Sequence, residues 1–282
     1  MNFNEYPSYD EFDLDNNNEL MNKNRFIPHK LFKYTNVYRS KDLLYYNSMY
    51  LPEISELNDP YEGELLYDNE LVENAYFKYK RDEFNKKQNM SSRTLQKLLE
   101  ENSSVYVEEL KQYLHKGIYF ICLSSSNKIN SLWAHYADNH RGICIEYDMN
   151  DCGDKKFLKD SCFKIEYVKK SDYTRDIKKH IKYDTYSRNW MLKPFLRKSE
   201  EWNYEKEWRI ILTEDDIQKN SRFHPYKPYI EFFKPSAVYM GLNINDKNED
   251  LLKEICEIKR VPLYRAKKNN RSFDFDFENV IK

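Results

Sequence analysis

Two carboxylates one residue apart, Glu205-Lys206-Glu207, stand among the aromatics Trp202, Tyr204 and Trp208 and run into Arg209-Ile210-Ile211-Leu212. On a β-strand, residues two apart share a face. A strand over 204–211 therefore sets Glu205, Glu207 and Arg209 on one side. Like charges on one face repel, so Arg209, a lysine or a ligand has to hold them. An anion beside developing positive charge stabilises a cationic transition state, and clustered carboxylates hold Mg²⁺. The same pattern also suits an edge strand with its charges in water, or a cross-strand ion pair.

Other residues of chemical type fall in short clusters. Asn58-Asp59-Pro60-Tyr61-Glu62-Gly63 reads as an Asx-type turn, or as carboxylates at the rim of the same cleft as Glu207. His135 and His140 flank Tyr136 and Asp138; a metal there needs a third fixed ligand, whereas Trp133, His135 and Tyr136 suit contact with a ring or base. Lys193, Arg197 and Lys198 are candidates for a phosphate or for a solvated helix face. Ser124-Ser125-Ser126 has no companion motif of a nucleophile elbow or a Ser-His-Asp order. The basic run Arg265 to Arg271 reads as a hairpin turn that matters only for a nucleic-acid partner.

These clusters sit in a chain of 282 residues, long enough for one large domain or two small ones. It is 40% hydrophobic and 33% charged, a globular balance. Lys+Arg (46) and Asp+Glu (47) leave a net charge of −1, which exerts no overall pull on nucleic acid. With 5 glycines and neither GxxxxGK[ST] nor GxGxxG, the sequence argues against a glycine cradle for phosphate. Tyrosine (25) and phenylalanine (16) predict an aromatic core. The 5 cysteines form no CxxC, and the start of the chain lacks an apolar leader core. Reduced, buried thiols in a cytoplasmic protein without membrane spans are expected. A zinc site on Cys152, Cys162 and a histidine is a weaker alternative.

The elements that position these residues follow from periodicity. Residues 1–25 read as a flexible acidic arm. Ser40 caps a short helix, Met49 to Leu51 forms a strand, and residues 70–116 form a helical insertion closed by Gly117. Ile118 to Leu123 is a buried central strand ending in the serines. A short helix over 132–137, a turn at 139–142 and a strand at 143–147 come next. Cys162 to Val168 alternates as one strand, and residues 172–199 look helical with a break at Pro194. Strands at 229–232, 237–241, 262–266 and 273–277 surround a helix over 249–259. The irregular order predicts an α+β fold: one domain over 26–282, with a mixed, partly antiparallel sheet flanked by helices.

Three segments together resemble the bacterial domain-of-unknown-function family 2971. They are Leu31-Phe32-Lys33-Tyr34 with Leu57 to Gly63, Leu132 to Ile145, and Trp202 to Arg209. The resemblance runs from about Leu31 to about Phe277. Thr35 stands where that family usually has arginine, with Arg39 as its substitute. The family carries no activity.

A looser resemblance joins Lys33 or Arg39, Ser124-Ser125-Ser126 and Glu205-Lys206-Glu207 to the order of motifs in ADP-ribosyltransferases. It implies NAD in the cleft of a split sheet, with Glu207 bonding the nicotinamide ribose and Glu205 helping to orient an acceptor. Lys33, Tyr34, Arg39, Asp59, Glu62, Ser124, Trp133, His135, Tyr136 and Arg209 would line the ligand. The acceptor would be a protein or nucleic acid, and the role that of a toxin or phage-defence effector. No resident metal is implied. Two other readings stand beside it. One is a metal-dependent nuclease on Glu62, Glu205 and Glu207, with Lys206 or Lys193 nearby. The other is a non-catalytic sensor with Trp133, His135, Tyr204 and Trp208 as its pocket.

Overall fold

The computed structural model describes residues 26–63, 117–169, 193–220 and 229–281. The expectations for residues 1–25, 70–116 and 172–192 lie outside them. The chain divides into two units. The larger unit takes 24–56, 117–165 and 201–282, and the smaller includes residues 57–63, 166–169 and 193–200.

In chain order the larger unit contains β1 (Lys30–Thr35), α1 (Ser40–Tyr46), β2 (Ser48–Tyr50), β3 (Ile118–Ser124), α2 (Asn130–His135) and β4 (Ile143–Asp148). Then come α3 (Lys156–Asp160) and β5 (Cys162–Lys164). The smaller unit's β6 (Glu166–Val168) and β7 (Arg197–Ser199) intervene. The larger unit resumes with β8 (Glu207–Thr213), α4 (Glu214–Asn220), β9 (Tyr229–Glu231), β10 (Ala237–Met240), α5 (Asp246–Lys259), β11 (Leu263–Lys268) and β12 (Phe275–Ile281).

Its main sheet has eight strands in the order β12-β11-β10-β4-β1-β3-β8-β5. β10 and β11 run parallel and the other neighbours antiparallel, so the sheet is mixed. β1 pairs with β4 along its whole length, from Lys30 with Asp148 to Thr35 with Ile143. β3 pairs with β8 in the same way, from Ile118 with Thr213 to Ser124 with Glu207. Between these two ribbons the seam β1–β3 is paired at Phe32 and Ser124. The eight strands therefore behave as two half-sheets joined near one point.

Both faces of the sheet are covered, which is why β4 and β8 read as nearly unbroken apolar runs. One face carries Leu31, Leu123, Ile145, Tyr147, Trp208, Ile210 and Val238, packed with Leu43 and Leu44 of α1 and Leu252, Ile255 and Cys256 of α5. The other face carries Phe32, Tyr34, Cys144 and Tyr239 under Leu132, Trp133 and Ala137. α5 begins properly capped: Asn245 accepts the Asn248 N–H at 2.9 Å, satisfying one of the amides left over in a first turn.

Two sequence expectations fail here for one reason. The alternation over Cys162 to Val168 is interrupted at Ile165, whose N–H bonds the Glu207 carbonyl at 3.1 Å. β5 stays with the main sheet, and β6 leaves it to pair in parallel with β7. Arg197 and Lys198 accordingly lie on a strand rather than a helix face. Periodicity does not report a change of partner. Among the described residues, no helix is long and apolar enough to cross a membrane.

The helix-turn after β3 lies hard against the sheet. Asp138, Asn139 and His140 all have left-handed φ, at 48°, 51° and 65°. The turn brings Gly142 beneath Thr35: a Cβ there would stand 2.4 Å from the Thr35 carbonyl oxygen. At Gly241 a Cβ would stand 2.2 Å from the His140 carbonyl oxygen. Gly142→Ala or Gly241→Ala should each cost about 3 kcal/mol, because backbone must move. Gly153 has φ +48° with open space around it, so Gly153→Ala should cost only about 1 kcal/mol of left-handed strain. Urea-unfolding midpoints compare the three; equal losses would contradict the close packing of the turn.

Candidate functional site

The Glu-x-Glu segment is not one strand. Glu200–Glu205 is a 3-10 turn, Lys206 takes φ +48°, and β8 starts at Glu207. The rule that residues two apart share a face therefore holds for Glu207 and Arg209 but not across Lys206. The kink is held by hydrogen bonds. The Lys206 N–H bonds the Asn203 carbonyl at 3.2 Å, and the Lys206 carbonyl accepts the Ser125 N–H at 3.1 Å. The Ser124 hydroxyl donates to the Glu205 carbonyl at 2.7 Å. The serine-rich strand end is thus the clamp that shapes the carboxylate segment.

Glu207 and Arg209 form a buried, two-pronged pair. Arg209 Nε and Nη2 reach Glu207 Oε1 at 2.9 and 2.8 Å, and Nη2 reaches Oε2 at 3.0 Å. The side chains are 0% and 4% exposed. The guanidinium also lies over the Phe120 ring, 5.7 Å from its centroid. Cys122, in register with Arg209, shares this pocket. Burial first and the Glu207 anion second push its thiol up to about 12. Glu205 has a different partner: the Tyr136 hydroxyl donates to Glu205 Oε1 at 2.7 Å.

Across the open seam, Lys33 Nζ donates to the Cys122 carbonyl at 3.1 Å. It takes the place of a β1 backbone amide that the diverging strands do not supply. Tyr34 ties down the following loop: its hydroxyl donates to the Ser126 carbonyl at 2.8 Å and accepts the Ile129 N–H at 3.4 Å. Burial raises its pKa far above the tyrosine range.

Trp133, expected among the ligand-lining residues, is buried. The ring is 0% exposed, meets Tyr34 edge-on at 5.3 Å, and donates its N–H to Asn127 at 2.8 Å. It presents no face to a ligand and serves as the core beneath α2. Trp208 packs on the opposite face of the sheet from Trp133 and Tyr204, so the four-residue sensor pocket does not assemble. His135 is exposed, its ring 6.4 Å from that of Tyr136. Arg39 is exposed at the start of α1, where its N–H bonds Asn36 Oδ1 at 2.7 Å.

Asp59 and Glu62 belong to the smaller unit. Asp59 forms the Asx turn, accepting the Tyr61 N–H at 3.0 Å. Glu62 pairs with Lys198 at 3.2 Å, both side chains buried. Arg197 Nε meets Glu166 at 3.3 Å. Among the described residues no group of three His, Cys, Asp or Glu side chains is placed to hold a metal ion, and Cys152 and Cys162 are free thiols.

Sequence reasoning missed Glu146. It is buried, accepting from Tyr239 at 2.7 Å, Ser236 at 3.0 Å and Lys30 at 2.9 Å. The register sets Glu207, Ser124, Phe32 and Glu146 in one row on one face. The signal was a lone charge in the apolar run Ile143-Cys144-Ile145-Glu146-Tyr147, which a buried strand tolerates only with partners.

Residues 132–210 match the model of a family described as a protein of unknown function, DUF2971. The matched span contains α2, Tyr136 and the Glu205–Arg209 segment, and is shorter than the span of the resemblance in sequence. No curated protein and no solved structure matches the chain.

Removing one partner of the buried pair is costly. Arg209→Met should destabilise the chain by about 3–5 kcal/mol, because Glu207 is left buried and uncompensated. Glu207→Leu combined with Arg209→Met should recover most of that in urea unfolding, and a double variant no better than the single would contradict the pairing. A second prediction concerns pH. Burial raises Cys122, Cys162 and Cys256 to about 12, and Cys144 well above its ordinary value. Below about pH 8.5 these thiols are neutral in both states and cost nothing. Above it the unfolded chain loses protons that the folded chain keeps, so stability should fall steadily from about pH 9 towards 12. Serine in place of all four cysteines should reduce that slope between about pH 9 and 10 in thermal melts, before buried tyrosines such as Tyr34 contribute; an unchanged slope there would contradict the assignment.

Proposed function

We propose that this chain cleaves the nicotinamide–ribose bond of NAD and passes ADP-ribose to an acceptor or to water. One observation carries the reading. The three strands bearing Lys33, the serines and Glu207 are neighbours, β1-β3-β8, and the seam between β1 and β3 is paired at one point. The motif resemblance implies NAD held in the cleft of a split sheet, which this arrangement suits.

In this reading the substrate enters at the β1–β3 seam. Glu207 bonds a ribose hydroxyl, and its negative charge stabilises the oxocarbenium-like state as neutral nicotinamide departs. Arg209 fixes the plane of that carboxylate with two parallel bonds. Lys33 brings a cation to the seam where the diphosphate would pass. Glu205, at the kink, faces the acceptor, a protein or nucleic acid. Consumption of NAD suits an effector of the toxin or phage-defence kind.

The test is NAD loss by purified full-length chain, with and without cell lysate as acceptor source. Wild type should consume NAD, and Glu207→Gln should lower the rate by at least ~100-fold, as loss of one stabilising group does elsewhere. Circular dichroism and melting confirm that the variant is folded. NAD loss that survives in a folded Glu207→Gln protein, or no loss by wild type under any condition, overturns the reading.

A further inference from the structure

We propose that a cavity at the ends of α1 and α5 is a binding site for a small aliphatic monocarboxylate; this stands independently of the NAD-cleaving reading. The cavity measures about 210 Å³ and lies within the larger unit. Two helices end at its walls. α1 stops at Asn47 with φ 51° and α5 at Arg260 with φ 52°, so both chains turn away in left-handed steps. The segment after β9 closes the third side with Lys234 and Pro235. Backbone bonds tie these walls down. The Phe232 N–H bonds the Asn47 carbonyl at 2.6 Å, and the Val261 N–H bonds the Cys256 carbonyl at 2.9 Å.

The lining has an apolar part and a polar part. Leu44, Ile255, Cys256 and Val261 form the apolar wall, and all four are buried in one core cluster. Burial pushes the Cys256 thiol up to about 12, so that wall is uncharged at neutral pH. The polar part is Asn47, Lys234 and Lys259. Among the described residues no Asp or Glu lines the cavity, and both formal charges on its wall are positive.

The two lysines are not equivalent. Lys259 Nζ donates to the Tyr45 carbonyl in the last turn of α1, where a cation offsets the partial negative charge of a helix end. Lys234 is exposed at the mouth of the cavity and makes no ion pair among the described residues. The charge of Lys259 is engaged within the fold, and that of Lys234 is open to a ligand.

An apolar wall with a cation at its mouth selects an amphipathic anion. The tail leaves water against Leu44, Ile255 and Val261, while the head meets Lys234. Size narrows the class further. At about 30 Å³ for each water-sized group, the cavity holds roughly seven, which is a carboxylate with about five or six carbons behind it. Pockets that enclose drug-sized molecules are larger, so a nucleotide or a long acyl chain does not fit inside. Inorganic phosphate fits but gains nothing from the apolar wall.

The probes are hexanoate and 1-hexanol, which keeps the tail and lacks the charge. Full-length protein is titrated with each while amide resonances are followed by NMR. Hexanoate should bind saturably with a Kd of about 1 mM or below, the range open to so small a ligand, and should shift the amides of Asn47, Lys234 and Val261. 1-Hexanol should bind about tenfold more weakly, for want of one charge-assisted bond. Lys234→Met should weaken hexanoate about tenfold and leave 1-hexanol unchanged, whereas Lys234→Arg should keep hexanoate within about threefold. Thermal melts confirm that both variants are folded. Equal affinity of wild type for the two probes, undiminished hexanoate binding by Lys234→Met, or shifts confined to residues away from the cavity overturns the proposal, as does the absence of saturable hexanoate binding by wild type. None of these outcomes touches NAD loss or its dependence on Glu207, so the two readings fail separately.

Discussion

A guanidinium with no exposed surface sits at the middle of β8, and the arrangement around it follows from the need to neutralise that charge. Taking an ion out of water costs several kcal/mol unless a partner is held at good geometry. Glu207 is that partner, two residues away on the same strand face, bonded through Nε and Nη2 at 2.8–3.0 Å. The pair fixes what its neighbours can be. Phe120 offers a ring face to the cation. Cys122 opposite keeps its proton because burial and the nearby anion both favour the neutral thiol. The strand begins at Glu207 and not earlier, since Lys206 turns the chain away. A buried, rigid carboxylate is an expensive feature in a fold, and it stands beside the one seam of the sheet that is left nearly unpaired.

That seam is where the proposed reading places the substrate. β1 and β3 touch at Phe32 and Ser124, with Lys33 supplying a donor across the gap. A sheet that merely served as scaffold gains from pairing every amide. Here the pairing is complete on either side of the seam and given up between. Two buried glutamates lie on the β3 side of it: Glu207 is bonded by Arg209, and Glu205 accepts from the Tyr136 hydroxyl.

Much of the architecture was legible in the sequence. The runs Ile118 to Leu123 and Ile143 to Tyr147 are strands of the α+β sheet, as their apolar continuity implied, and the pattern over Glu249 to Lys259 is a helix. The kinship of Glu207 with Arg209 followed from a period of two. What period did not show was what distant partners decide. Lys206 breaks the strand where Ser125, the residue after β3, holds its carbonyl, a contact 81 residues away. Trp133 looked like a ligand platform because an aromatic near a histidine carries no mark of burial. Glu146 was passed over although a charge within an apolar run is a cost that only a hidden set of donors offsets. Tyr136 was picked out, but its bond to Glu205 lies in the tertiary fold alone.

The central claim is that the β1–β3 seam is where NAD binds. Amide hydrogen–deuterium exchange with and without NAD tests it most directly. The account predicts slower exchange in residues 30–35 and 118–126 when NAD is present, with α5 over 246–259 unchanged. No change in the seam, or slowing confined to segments away from it, would contradict the account.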